Sequence, residues 1–206
     1  EQNHTLLLFE ASVAGGMPII RLLKQSLFLN KIYKISGILN GTTNFILSEM
    51  ERKNSDFSIV LKEAKKNGFA ESDPTNDING IDTAYKLTIL SVLCFGVRFN
   101  MNNVIYKGIK DIKNEDINFA KKLGYKIKLI GSSEIKNNKI ISIVGPTLVK
   151  IHSKLANVDS VKNGIKIETD HLDSLFFEGE GAGGKATTSS IISDLLEISI
   201  SSQSNS

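Results

Sequence analysis

The sequence predicts an α+β fold, a mixed β-sheet covered by helices. Helical spacing of apolar residues dominates the first half of the chain, and period-two alternation dominates the second from Tyr125 onward. Strands and helices are therefore segregated rather than wound as regular βαβ units. The 206 residues, 41% hydrophobic and 23% charged, can build one large or two small domains around a real core.

The elements follow in order. Thr5 to Phe9 reads as a short buried strand, and Ala11 to Gly16 supplies turn residues. Pro18 suits a first helical turn, with Ile19, Ile20, Leu22, Leu23 and Leu27 at helical spacing behind it. Lys31 to Leu39 reads as a strand. Asn40-Gly-Thr-Thr43 then gives a turn whose hydroxyls suit the start of a helix over 43–51. Asp56 is placed to cap Phe57 to Lys66, which Asn67-Gly68 ends. Ile81 to Phe95 is a helix too apolar for a surface, Val104 to Ile112 a short extended piece, and 114–123 a helix opened by Asn114. Tyr125 to Ile135 and Lys139 to Val149 form a hairpin around Asn137-Asn138, since asparagine tolerates positive φ. Strands near 164–169 and 174–178 lead into a glycine loop, a helix over 187–198 and a frayed tail over 199–206.

Composition excludes several classes of function. Lys+Arg 25 against Asp+Glu 22 leaves +3, scattered among acids, so no nucleic-acid stripe exists. The single cysteine, Cys94, excludes a disulfide scaffold and a multi-cysteine zinc site, and a reducing, cytoplasmic setting is the expectation. No apolar run reaches eighteen residues, so no membrane partner is expected. His4, His152 and His171 stand apart from one another and carry no assigned chemistry.

Three constellations remain. The densest, from Gly68 to Lys86, holds Glu71, Asp73, Asp77 and Asp82. A calcium loop fails there, because its twelfth position would be Lys86 rather than glutamate. Between Thr83 and Val97, Lys86 is the only charged side chain, and it shares a helical face with Asp82, Ile89 and Leu93. An exposed Asp/Lys pair gives a helix only about 0.2–0.5 kcal/mol, a weak reason to put charges at the mouth of a core helix. A partly buried lysine among carboxylates is a candidate proton donor, the alternative being a solvated acidic loop.

Gly179-Glu-Gly-Ala-Gly-Gly184 is a literal G-x-G-x-x-G. Only 22 residues follow it, too few for a return strand and a ribose-binding acid, so it cannot found its own dinucleotide domain. It could still offer backbone N–H groups to a cofactor bound elsewhere, or be a tight turn alone. In Glu10-Ala-Ser-Val-Ala-Gly-Gly-Met17, one carboxylate beside a glycine bend could serve a hard cation, or be a plain strand-to-helix turn.

Taken together, Phe9 to Pro18, Gly37 to Phe45, Gly68 to Lys86 and Gly179 to Gly184 resemble the homoserine dehydrogenase family in order and spacing over nearly the whole chain. The resemblance implies interconversion of homoserine and aspartate 4-semialdehyde with NAD(P)(H), by a chain that is the substrate and dimerisation region. It implies Lys86 as proton donor with Asp82 as its partner, and Glu71 and Asp77 as substrate ligands, Glu71 at the amino group. Gly41, Thr42 and Phe69 then line the substrate pocket, and Gly68, Gly181, Ala182 and Gly183 touch the nicotinamide end. Glu10 and the carbonyls of Val13, Gly15 and Met17 match a structural sodium site. A homodimer is the implied assembly.

The same resemblance divides the chain. Residues 1–16 match the last strand and hinge of a nucleotide-binding domain otherwise outside these residues, 17–178 the substrate and dimerisation domain, 179–198 the return to the nucleotide-binding domain, and 199–206 a tail. The first strand and last helix are thus remnants of a Rossmann domain. Lys185-Ala-Thr187 stands where the family continues into Pro-Thr. The alternative expectation is a non-catalytic homoserine-binding or dimerisation module without its cofactor half.

Overall fold

The computed structural model describes residues 6–203. Its centre is β1 (Ile32–Ile38), which pairs antiparallel with β3 (Tyr125–Lys136) on one side and β5 (Lys162–Thr169) on the other. β4 (Lys139–Lys150) and β6 (Ser174–Glu180) extend the sheet antiparallel, and β2 (Val104–Tyr106) adds a parallel edge beside β4. The order is β2-β4-β3-β1-β5-β6, a six-stranded mixed sheet. Asn137 and Asn138 both take positive φ, 50° and 56°, as the hairpin between β3 and β4 requires.

Helices cover one face. α2 (Gly41–Lys53) and α5 (Ile81–Phe95) lie directly on the sheet, with α6 (Asn114–Lys122) against β3 and α3 (Phe57–Lys66) behind α2. Ile35, Leu39, Ile46, Met50, Leu87, Leu90, Leu129 and Ile165 interlock there as the core. α5 buries Thr83, Ala84, Leu87, Leu90 and Ser91, so its apolar sequence is used against the sheet. Strand alternation sends Lys34, Ser36, Ser132, Ile143, Lys166 and Phe176 to the opposite face, where among the described residues only the short 3-10 turn Leu155–Asn157 packs and a groove of about 760 Å³ stays open.

Several boundaries differ from the sequence expectation. Thr5 lies outside the described residues, and Leu6 to Phe9 form no strand, because no strand of the sheet runs beside them. The helix after Pro18 is a turn of α1 (Ile19–Arg21) continued as a π-helical turn, Leu22–Ser26. α2 begins at Gly41, capped by the Asn40 side chain rather than by threonine hydroxyls. Asp56 makes no capping bond, and the start of α6 is held by Asp116 accepting from the Lys113 N–H, while Asn114 reaches across to Asn54. A short α4 (Thr75–Ile78) interrupts the acidic segment. α7 runs Gly184–Gln203, so the expected frayed tail is helical through Gln203; no glycine or proline stops it, and 204–206 lie outside the described residues.

Candidate active site

The site grows from the junction of β1 and α2. Asn40 leaves the strand in extended conformation (φ −134°, ψ 117°), the geometry of an N-cap. Its Oδ1 accepts from the Thr43 N–H at 2.9 Å and from Thr43 Oγ1 at 2.9 Å. Its Nδ2 points the other way and donates to Asp77 Oδ1 at 2.7 Å and to Asp82 Oδ2 at 2.8 Å. One buried amide thus caps a helix and gathers two carboxylates.

Lys86 completes the cluster from α5. Its Nζ lies 2.8 Å from Asp82 Oδ2, one helical turn away, and donates to the Leu39 carbonyl at 3.2 Å. The Lys86 side chain is 20% exposed, so the ammonium sits at the cavity wall with its stem in the core. Two carboxylates and one lysine leave the cluster net negative, which suits a cationic group on a ligand.

These residues line a cleft of about 400 Å³ together with Gly41, Thr42, Gly68, Phe69, Val161, Asn163 and the Gly181–Gly183 loop. Thr42 Oγ1 donates to the Phe69 carbonyl at 2.7 Å, and the Phe69 ring packs on Phe45 with centroids 4.8 Å apart. Gly68 takes φ 74°, the left-handed step that ends α3 and turns the chain into the cleft. Gly41 must be glycine for another reason, since a Cβ there would lie 2.6 Å from the Val161 carbonyl.

The structure therefore brings together Asp77, Asp82, Lys86, Gly41, Thr42, Gly68, Phe69 and Gly181 to Gly183. Glu71 is exposed and outside the cleft lining. Asp73 is spent on an Asx turn, accepting from the Thr75 N–H and hydroxyl, bonds that hold its carboxyl below the usual carboxylate range. Asn40, Asn67, Val161 and Asn163 line the cleft in addition to the residues expected there. For Asn40 a signal existed: asparagine directly before Gly-Thr-Thr is a preferred cap.

Lys128, 1% exposed, is the other surprise. Its Nζ donates to Val158 O at 2.7 Å, Asp159 Oδ1 at 2.8 Å and Asn44 Oδ1 at 3.0 Å, with Ser48 Oγ within 3.1 Å sharing one of those protons. Asn44 Nδ2 in turn donates to the carbonyls of Val158 and Lys162. Together they fix to α2 and β3 the segment that carries Val161 and Asn163 into the cleft. Burial pushes the Lys128 ammonium below the usual lysine range, with Asp159 opposing.

The N-terminal bend packs on the glycine loop. Gly15 and Gly16 donate to the carbonyls of Gly181 and Glu180, each at 2.9 Å. Glu10 is buried, and its two carboxylate oxygens accept from the Ile20 and Arg21 N–H groups at 2.8 Å. The Gly15 carbonyl accepts from Ser190 Oγ at 2.6 Å and the Met17 carbonyl from the Ile19 N–H at 2.8 Å. Among the described residues no group of three or more His, Cys, Asp or Glu could hold a metal ion. No helix among them is long and apolar enough to cross a membrane.

Comparison with known proteins identifies the family of the chain. The homoserine dehydrogenase family model matches residues 18–196. The Neisseria gonorrhoeae homoserine dehydrogenase is 44% identical over 198 residues, covering 96% of this chain and 46% of its own length. The crystal structure of a homoserine dehydrogenase from Thiobacillus denitrificans superposes with a TM-score of 0.90 at 45% identity, covering 92% of this chain and 44% of that one. A hyperthermophilic archaeal homoserine dehydrogenase in complex with NADPH matches with a TM-score of 0.83 at 28% identity, over 97% of this chain and 57% of that one. The chain spans about half the length of the curated relatives it matches. Sequence and fold together place the chain in the homoserine dehydrogenase family.

Proposed function

We propose that this chain supplies the substrate half of an oxidoreductase site that interconverts L-homoserine and L-aspartate 4-semialdehyde with NAD(P)(H). The observation that carries the reading is the Asp82–Lys86 pair, tied through Asn40 to Asp77 in a cleft walled by the Gly181–Gly183 loop. In the reducing direction, the bound reduced nicotinamide supplies a hydride to the aldehyde carbon. Lys86 Nζ gives its proton to the aldehyde oxygen, while Asp82 holds the ammonium in place between transfers. Asp77 faces the substrate ammonium, with Glu71 joining it from the exposed loop. The first N–H groups of α2, at Gly41 and Thr42, have no intrahelical partner and suit the substrate carboxylate. The loop fits a flat ring, because Gly183 (φ 119°) has open space where a side chain would stand.

The nucleotide-binding remainder of the site belongs, in this reading, to a further domain of about 100–150 residues. α7 leaves Ile191, Ile192, Leu195 and Leu196 exposed, and Leu7 is 74% exposed, an apolar surface of the kind such a domain covers. The open sheet face is assigned to a homodimer. It carries exposed Ile105, Ile141 and Ile143 beside the Lys34–Glu134 and Lys166–Glu168 pairs, a mixture of both charges that a second copy can meet about a two-fold axis. Sedimentation of an Ile143→Glu variant as a monomer, with the wild type a dimer, tests it. A structural sodium ion, if bound at the bend, uses main-chain carbonyls of Val13, Gly15 and Met17. The Glu10 carboxylate is committed to α1, so Glu10 contributes charge alone; a melting temperature higher in sodium than in choline chloride tests the ion. A cytoplasmic setting accords with the one free cysteine.

The reading as a whole is tested by calorimetric titration of the chain with L-homoserine. Binding that weakens at least about tenfold in Asp77→Asn supports it, and absence of binding overturns it.

A further inference from the structure

Asn163 stands on β5 opposite Gly179 and lines the cleft. It is 2% exposed, and its Nδ2 has no hydrogen-bond partner among the described residues. A buried amide with unmet donors is rare, because the fold bears the lost hydration without a return. Its position is not slack: Asn44 holds the preceding carbonyl at Lys162, and Lys128 holds Val158 further back. Gly181 lies directly over the carboxamide, so closely that a Cβ on Gly181 would fall 1.3 Å from Asn163 Oδ1. Beyond Gly181 the loop loosens, since Gly183 and Gly184 have nothing within 4 Å of a side-chain position. Gly181 itself is held by the Gly15 N–H, so Asn163 meets the cleft beside a fixed glycine, with the open part of the loop at Gly183 and Gly184.

We infer that Asn163 is a ligand-binding residue whose carboxamide N–H donates to a carbonyl-type oxygen of the molecule bound in the cleft. The acceptor is either an oxygen of the amino-acid substrate or the carboxamide oxygen of the nicotinamide ring, one chemistry from two sources. This rests on the reading of the cleft given above. It explains two features together: an unmet donor held rigidly in the wall, and a glycine at the one loop position that covers it. The residue is uncharged, so it orients its ligand without altering the balance of Asp77, Asp82 and Lys86.

The test is a nitrogen-15 magnetic resonance titration of the whole chain, with the Asn163 side-chain NH2 pair assigned by its loss in Asn163→Asp and, should that variant not fold, in Asn163→Ala. L-homoserine and NADP+ are added separately. Movement of the pair with homoserine supports the inference and identifies the substrate as acceptor; movement with NADP+ alone supports it and identifies the cofactor. Either is expected to be matched by about tenfold weaker binding of that ligand to Asn163→Asp. If the Gly41 and Thr42 backbone amides move with homoserine while the Asn163 pair moves with neither ligand, the inference is overturned and the substrate cleft stands. If no amide of the cleft moves with either ligand, both fall.

Discussion

Asn40 Nδ2 reaches Asp82 Oδ2 at 2.8 Å, the same oxygen that Lys86 Nζ contacts at 2.8 Å. The helix cap and the ion pair therefore share an atom, and the start of α2 and the face of α5 cannot move independently.

Because of that sharing, two substitutions of Asn40 separate stability from site geometry. Asn40→Ala removes the cap and is expected to lower the unfolding free energy by about 1 kcal/mol. Asn40→Asp keeps an acceptor for the Thr43 N–H but sets a third carboxylate against Asp77 and Asp82. Urea denaturation at neutral pH should find the two variants similar in stability, the retained cap in one offsetting its added repulsion. Homoserine binding should nevertheless weaken more in Asn40→Asp, where like charges push the cluster apart. Weaker binding in Asn40→Ala with none lost in Asn40→Asp, which keeps the cap, would show that Asn40 is only a cap.

Lys128 and Asp159 set an acid limit. Burial alone would raise the Asp159 carboxyl, but the hydrogen bond and charge of Lys128, with Lys126 behind it, prevail and hold it below its ordinary value of 3.8. The unfolded chain then takes up the proton more readily than the folded one. The stabilisation is complete above about pH 5 and is lost as pH falls below 3.8 through the folded value. Urea midpoints measured from pH 7 to pH 3 should fall less steeply in Asp159→Asn than in the wild type. Lys128→Met, which orphans Asn44 Oδ1 and leaves Asp159 without its nearest cation, is expected to cost on the order of 3 kcal/mol at pH 7.

Gly181→Ala should damage the loop through one neighbour. The added Cβ meets Asn163 Oδ1, so the single variant is expected to lower the melting temperature by several degrees, about 1–3 kcal/mol of overpacking. Adding Asn163→Ala should restore part of that loss. A double-mutant cycle with no coupling would mean that the alanine is resisted by something other than Asn163.

Much of this is legible in the sequence, and for identifiable reasons. α5 shows itself because a fifteen-residue stretch with only Asp82 and Lys86 charged needs a buried partner, and the β3–β4 hairpin because paired asparagines mark positive φ. Asp82 and Lys86 stand out because helical spacing alone puts them on one face. Long-range partners leave no such trace. Nothing local marks Lys128 as buried, since its acceptors come from α2 and the Val158–Asp159 turn, up to 84 residues away. Asn163 reads as an ordinary strand residue until Gly181 is laid over it. The strand expected at Thr5 to Phe9 has the right composition, but a strand is made by its neighbour, and the sheet offers none there.

The account turns on Lys86 as the proton donor, and the most direct measurement is NADPH oxidation with L-aspartate 4-semialdehyde by the native protein purified from its source, compared with its Lys86→Ala variant. The account predicts turnover in the wild type and a loss of at least about tenfold in the variant, with an unchanged melting temperature. Equal turnover in the two proteins, or none in the wild type, would contradict it.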